Sequence, residues 1–100
     1  MSEAMTARIK RELRITWNDE ETDASVREII ADAEIALNHK LGAECDYEAP
    51  GPIRRLFVNY CIYAYNNCLN EFDSAYMNEI YQIRHKLEVE NEKKKDSNLQ

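Results

Sequence analysis

The sequence predicts an all-α protein, a small four-helix bundle-like domain, and three observations support this. The 100 residues include only two glycines and two prolines, and three of these four stand together in Pro50-Gly51-Pro52. β-Rich folds need many turn residues, so this scarcity favours long helices. Several stretches also repeat apolar residues at helical spacing. We predict one helical domain over residues 1–90, with a short first helix and three long ones, and a polar, disordered tail over 91–100.

The first helix is predicted over residues 4–13, where Met5, Ile9 and Leu13 are spaced by four. A helix this short is marginal alone, so it is expected to dock on the rest of the chain. Trp17 follows at the corner before the second helix. An aromatic residue there predicts either a plug between the first two helices or the anchor of an interface.

The second helix is predicted from an apolar stripe that ends before Gly42, a residue suited to a left-handed helix end. The stripe comprises Val26, Ile29, Ile30, Ala33, Ala36, Leu37 and Leu41. Asn18 with Glu21 fits a capping box at the start, and Thr22 or Asp23 could cap one turn later.

The acidic residues are concentrated at the start of this helix. Residues 18–34 carry seven acids and one base, a surplus equal to the net charge of −6 of the whole chain. Capping and the helix dipole explain acids at this position, and a functional acidic surface is the alternative. An acidic domain does not grip phosphate, but it could line a path along which DNA slides.

Residues 43–51 form a loop in which Tyr47 is the only large apolar side chain. The loop is either a plain connector or a contact for a partner. Pro52 suits the first turn of the third helix. Arg54 and Arg55 follow in that turn, where the helix dipole disfavours them. They are either solvated or paired with acids of a neighbouring helix or chain.

The third helix, predicted from Pro52 to Leu69, is the most apolar segment and the centre of the fold. Because it is apolar on more than one side, it must be covered on more than one side. Either it is the centre of a compact bundle, or another subunit supplies part of its cover. The main stripe comprises Ile53, Leu56, Phe57, Tyr60, Cys61, Ala64, Cys68 and Leu69.

The fourth helix is predicted to begin near Phe72, with Asp73 or Ser74 as its cap. Its apolar positions form a heptad-like seam that Met77 and Tyr81 broaden and that stops after Val89. The seam comprises Phe72, Tyr76, Ile80, Ile83 and Leu87.

No catalytic, cofactor or metal motif is found in the sequence, so we predict that the protein is not an enzyme. His39 and His85 stand on separate predicted helices. Cys61 and Cys68 are seven residues apart, about two helical turns, which is too far for one zinc ion and suits core packing. The three cysteines and the polar N-terminus, without a signal peptide, predict reduced thiols in a cytosolic chain. No apolar run is long enough for a membrane span.

The sequence resembles the small head–tail connector (adaptor) proteins of long-tailed bacteriophages and prophages over about residues 6–90. The resemblance lies in WNDEETD at 17–23, VREIIADAEIALNHKLG at 26–42 and RRLFVNYCIYAYNNCLNEF at 54–72, the last two separated by the Pro-Gly-Pro entry. It implies an all-α subunit of a ring, commonly of about a dozen copies, beneath the portal protein of a virion. It implies no catalytic residues.

Such a ring extends the DNA channel, without specific DNA binding, and presents a surface to a tail-completion protein. It is assembled from chains made in the bacterial cytoplasm. The alternative function is a small phage-encoded binding or regulatory module acting as a monomer or dimer. The interface candidates are Arg54, Arg55, Trp17 and Tyr47. The candidates for the channel surface are Asp19, Glu20, Glu21, Asp23, Glu44, Asp46 and Glu48.

Overall fold

The computed structural model describes residues 2–98, and its side chains over residues 2–92. Within that range it contains four helices and no strand, which confirms the prediction of a small all-α four-helix domain. The helices are α1 (Glu3–Glu12), α2 (Glu20–Leu41), α3 (Pro52–Tyr65) and α4 (Leu69–Asn98). The start of α3 at Pro52 agrees with the sequence prediction.

Each of α2 and α3 contacts the other three helices, so α2 shares the centre of the fold with α3. Leu56, Phe57 and Cys61 are completely buried in α3. Aromatic rings from outside the helix complete its cover, with Tyr47 stacked on Phe57 at 4.7 Å and Phe72 edge-on to Tyr60 at 4.9 Å between ring centroids. Of the two sequence alternatives, the structure therefore has the compact bundle, in which the chain itself covers its most apolar helix.

Helix α2 buries the stripe that its periodicity predicted, with Ile29 and Ala36 partly buried at its edges. The fully buried part comprises Val26, Ile30, Ala33, Leu37 and Leu41. Gly42 ends the helix as predicted, with φ of 71° and its N–H donating to the Asn38 carbonyl.

The cap at the start of α2 differs from the predicted ones. Asp19 is the N-cap, and its Oδ2 accepts from the Thr22 N–H at 3.3 Å and from the Thr22 hydroxyl at 2.9 Å. These hydrogen bonds, first from the hydroxyl and then from the backbone, lower the pKa of the Asp19 carboxyl. Its backbone is extended, and the carboxylate reaches the third N–H of the helix, as an N-cap does.

We expect Gly42→Ala to destabilise the protein by about 1–2 kcal/mol, because an L side chain is strained in the left-handed region. A Cβ at this position would meet its nearest neighbour, Arg84 Nε, at 3.6 Å, an ordinary contact, so the cost comes from the backbone alone. Gly42→Asn is the matched control, since asparagine tolerates this conformation better. Urea denaturation measures both variants, and an asparagine variant as unstable as the alanine one would contradict the explanation.

The connection between α3 and α4 lies earlier in the chain than predicted, at residues 66–68 instead of 70–71. Helix α3 ends at Tyr65 and α4 begins at Leu69, so Cys68 lies outside α3 and the predicted cap Asp73 lies inside α4. Asn67, with φ of 59°, reverses the chain, because asparagine adopts this conformation more readily than most residues. Asp73 instead pairs with Lys40 of α2 at 2.8 Å.

Helix α4 continues to Asn98, whereas the sequence analysis placed a disordered tail from residue 91. Glutamate and lysine, which dominate this part of the chain, are good helix formers. Leu87 lies beside Pro52 and Ile53 at the start of α3, so the later turns extend beyond the bundle. The radius of gyration is accordingly 15.3 Å, against about 13 Å for a compact domain of this length. Residues 99 and 100 of the predicted tail lie outside the described residues.

Candidate functional site

The clearest concave site is a cleft between α1 and the start of α3, which we call the arginine cleft. Its volume is about 390 Å³, within the range of ligand clefts in proteins. Arg8 comes from α1, and Arg54 and Arg55 come from the first turn of α3. The lining is Arg8, Glu12, Gly51, Pro52, Arg54, Arg55, Val58 and Asn59.

Two of these arginines, Arg54 and Arg55, were interface candidates from the sequence, and both line the cleft. Arg54 is half-buried and donates from Nη1 to the Glu48 carbonyl at 3.4 Å, while Arg55 is exposed. Among the described side chains, neither forms an ion pair with a carboxylate. The acidic partner suggested by the sequence is therefore not supplied by the described part of the chain itself.

Arg8 completes the cleft, although it was not among the site residues predicted from the sequence. Helical periodicity separates the apolar side of α1 from its polar side, but it cannot tell which polar residues face another element. Helix α1 contacts α2 and α3, which places Arg8 and Glu12 opposite the start of α3. Several basic residues occur in and just after α1, and only tertiary packing places Arg8 in the cleft.

The interface prediction for Tyr47 is wrong. Its side chain is 1% exposed and belongs to the core. The ring stacks on Phe57, and the hydroxyl donates to Asn38 Oδ1 at 2.7 Å. Burial raises the pKa of Tyr47, since an ionised phenol would lose its hydration there. The loop thus folds back over the bundle, because removing the ring of its one large apolar residue from water is favourable.

Trp17 does not plug the space between α1 and α2, because 52% of it is exposed. Its indole Nε1 donates to Thr22 Oγ1 at 3.5 Å, which keeps the ring at the surface beside the start of α2. Ile15 is the buried residue of this corner. Trp17 remains a candidate for an interface.

The predicted acidic surface consists of two separate groups. Asp19, Glu20 and Glu21 are at the start of α2, whereas Glu44, Asp46 and Glu48 follow its end. Helix α2 has 22 residues, a length of about 33 Å, so these groups cannot form one continuous patch.

Four of the seven predicted channel residues have partners within the chain. Asp19 accepts from Thr22, and Asp46 Oδ1 accepts from the Glu48 N–H at 3.0 Å. Asp23 is half-buried and pairs with Lys10 of α1 at 2.7 Å, which removes it from the channel-facing set. Glu48 accepts hydrogen bonds from the backbone and hydroxyl of Ser2. Glu20, Glu21, Glu44 and Asp46 are exposed.

Exposed apolar side chains also occur away from the arginine cleft. Met77 and Tyr81, expected to broaden the seam of α4, are 49% and 61% exposed. They line a groove of about 330 Å³ against His39 and Lys40 of α2. The sequence analysis assigned these two residues to packing, because their spacing fits the edge of the seam.

The cysteines are free, and Cys61 is completely buried, which confirms its assignment to the core. Cys68 is half-buried in the connection before α4. Among the described residues, no group of three or more histidine, cysteine or acidic side chains could hold a metal ion.

The fold and these surfaces define a small helical domain with an arginine-lined cleft and an exposed tryptophan. Comparison with protein-family models, curated proteins and solved structures gave no match for this chain. Over the described residues, no helix combines the length and apolarity needed to span a membrane.

Proposed function

We propose that this chain is a structural subunit of a head–tail connector ring at the head–tail interface of a virion. In this role it sits beneath the portal protein, extends the DNA channel and offers a surface to a tail-completion protein. The resemblance over residues 26–42 and 54–72 supports the proposal, and the all-α fold is compatible with it.

The observation that carries the proposal is the presence of two unlike exposed surfaces on one small chain. The arginine cleft lies between α1 and α3, and Trp17 with its acidic neighbours lies at the start of α2. Two different surfaces favour head-to-tail contacts, and such contacts generate rings when the rotation closes.

The structure changes the physical reason for expecting assembly. One of the two alternatives from the sequence was that another subunit covers part of the third helix, but α3 is covered by its own chain. Assembly is therefore expected through charged and aromatic side chains at the surface.

In the proposed ring, the loop acids Glu44 and Asp46 face the channel, since both are exposed and lie far from the start of α2. Carboxylates there repel the phosphates of passing DNA, which then moves without binding. The net charge of −6 supports the same behaviour.

The test is to add the chain to purified portal oligomers from the same phage or prophage and to image the product by electron microscopy. We expect an additional ring of density on the portal. Arg54→Glu with Arg55→Glu should reduce its yield, whereas Arg11→Glu with Arg14→Glu, the same charge change at exposed residues of α1 and its end, should not. Portals that remain bare at saturating chain would contradict the proposal.

The alternative, a monomeric or dimeric binding module, is favoured by one observation, the groove between α2 and α4 that exposes Met77 and Tyr81. A partner helix with apolar residues at helical spacing would fit such a groove. Bare portals together with tight binding of one such partner would select this function.

A further inference from the structure

The arginine cleft has the chemistry to bind carboxylates. Arg8, Arg54 and Arg55 line it from two helices, and Pro52 and Val58 add apolar surface. Guanidinium groups bind carboxylates through paired hydrogen bonds and also stack on aromatic rings. Glu12 is the one acidic residue of the lining, so positive charge prevails.

The described part of the chain leaves these arginines without acidic partners. Its four ion pairs join Lys10 to Asp23, Arg27 to Glu3, Lys40 to Asp73 and Arg84 to Glu88. Three like charges around one cleft repel one another, so a docked group of opposite charge would be stabilised there.

The start of α2 offers that group. We define the acidic corner as Trp17, Asp19, Glu20 and Glu21, all exposed. Residues 15–22 contain no base. Glu20 and Glu21 form no ion pair among the described side chains. A large exposed indole beside free carboxylates is typical of an interface anchor.

The acidic corner cannot reach the cleft of its own chain. Lys10 binds Asp23 at 2.7 Å, which holds the start of α2 against the Lys10 side of α1. Arg8 lies two residues earlier, about 200° around the helix, and faces α3. The cleft and the corner are therefore on opposite sides of α1.

We infer that the acidic corner of one copy docks in the arginine cleft of the next copy. Glu20 and Glu21 pair with Arg54 and Arg55, and the Trp17 indole packs on the Arg8 guanidinium. Because the two surfaces differ, each copy binds one neighbour through each of them, which is a head-to-tail contact. The inference rests on the proposed ring and identifies the contact between its subunits.

Charge exchange tests this pairing on the full chain. The cleft variant is Arg54→Glu with Arg55→Glu, the corner variant is Glu20→Arg with Glu21→Arg, and the control is Arg11→Glu with Arg14→Glu. Circular dichroism checks that each variant folds, including the cleft variant, in which the half-buried Arg54 loses its hydrogen bond to the Glu48 carbonyl. Sedimentation velocity at low salt then measures self-association.

We expect the wild-type chain to self-associate, more weakly at high salt because the contact is ionic. The cleft variant alone and the corner variant alone should each associate at least about tenfold more weakly, because like charges then meet. The control should behave as wild type. Mixing the cleft and corner variants should restore association, since every contact in the mixture again joins opposite charges.

Three results would overturn the inference. One is a wild-type chain that stays monomeric at the highest soluble concentration. Another is a mixture that associates no better than its components. The third is binding of duplex DNA that the cleft variant loses and the control keeps, which would make the cleft a phosphate site. If the chain fails this self-association test but still adds a ring of density to the portal, the proposed function stands and only the inferred contact is wrong. The two failures are therefore distinguishable.

Discussion

Replacing Phe57 by alanine is expected to lower the free energy of unfolding by about 3–5 kcal/mol. Phe57 is completely buried at the centre of α3, where its ring stacks on Tyr47 at 4.7 Å between centroids. Truncation removes the ring from the core and leaves a cavity that the packed helices fill only in part. Domains typically have a free energy of unfolding of about 5–15 kcal/mol in total, so this loss is a large fraction of the stability.

Tyr81→Ala is the matched control, because it also removes an aromatic ring but from a side chain that is 61% exposed. Its expected cost is within about 0.5 kcal/mol of zero. Urea denaturation followed by circular dichroism measures both variants. Similar losses for the two substitutions would mean that Phe57 is not at the centre of the core.

The second large effect is a loss of stability at alkaline pH caused by Cys61. Burial raises the pKa of its thiol from an ordinary 9.0 to about 12. The folded state therefore keeps the proton at a pH where the unfolded chain has lost it. The contribution of Cys61 to the free energy of unfolding is therefore fully present below about pH 9. As the pH rises towards 12, the free energy of unfolding decreases by about 1.4 kcal/mol per pH unit.

Cys61→Ala isolates this contribution, because the alanine side chain does not titrate and occupies less space. The free energy of unfolding is measured between pH 8 and pH 11, and we expect the wild type to lose stability more steeply than the variant. Burial also raises the pKa of Tyr47 and Tyr60, so both proteins retain some alkaline slope. Parallel pH profiles would show that the thiol is accessible to water, contrary to its complete burial.

The fold could be predicted from the sequence because each helix carries its own signal. The apolar stripe of α2 and the glycine after it depend only on residues within one turn of each other, and both predictions are confirmed. The helix boundaries that were predicted wrongly depend on competition between helical and non-helical conformations at a few residues. Asn67 has a left-handed conformation, so the chain reverses there and α4 begins earlier than predicted. The same helix continues past residue 91, because its residues favour helix even without an apolar stripe.

The candidate site could be predicted only in part. Arg54 and Arg55 were noticeable in the sequence because they oppose the dipole of their own helix, a local property. Whether they meet a third arginine depends on the packing of α1 against α3, about 45 residues away in sequence. Tyr47 and Trp17 were both interface candidates from the sequence, but the structure buries Tyr47 and exposes Trp17.

The sequence by itself determined that this chain is helical, where α2 ends and which apolar residues form its core, because periodicity and turn chemistry act over a few residues. The tertiary structure decided which side chains remain at the surface. It buried Tyr47 under its loop, left Trp17 in solvent, covered α3 from three sides and assembled the arginine cleft. These outcomes depend on distant segments competing for the same surface of α3, and that competition is settled only when all four helices pack together.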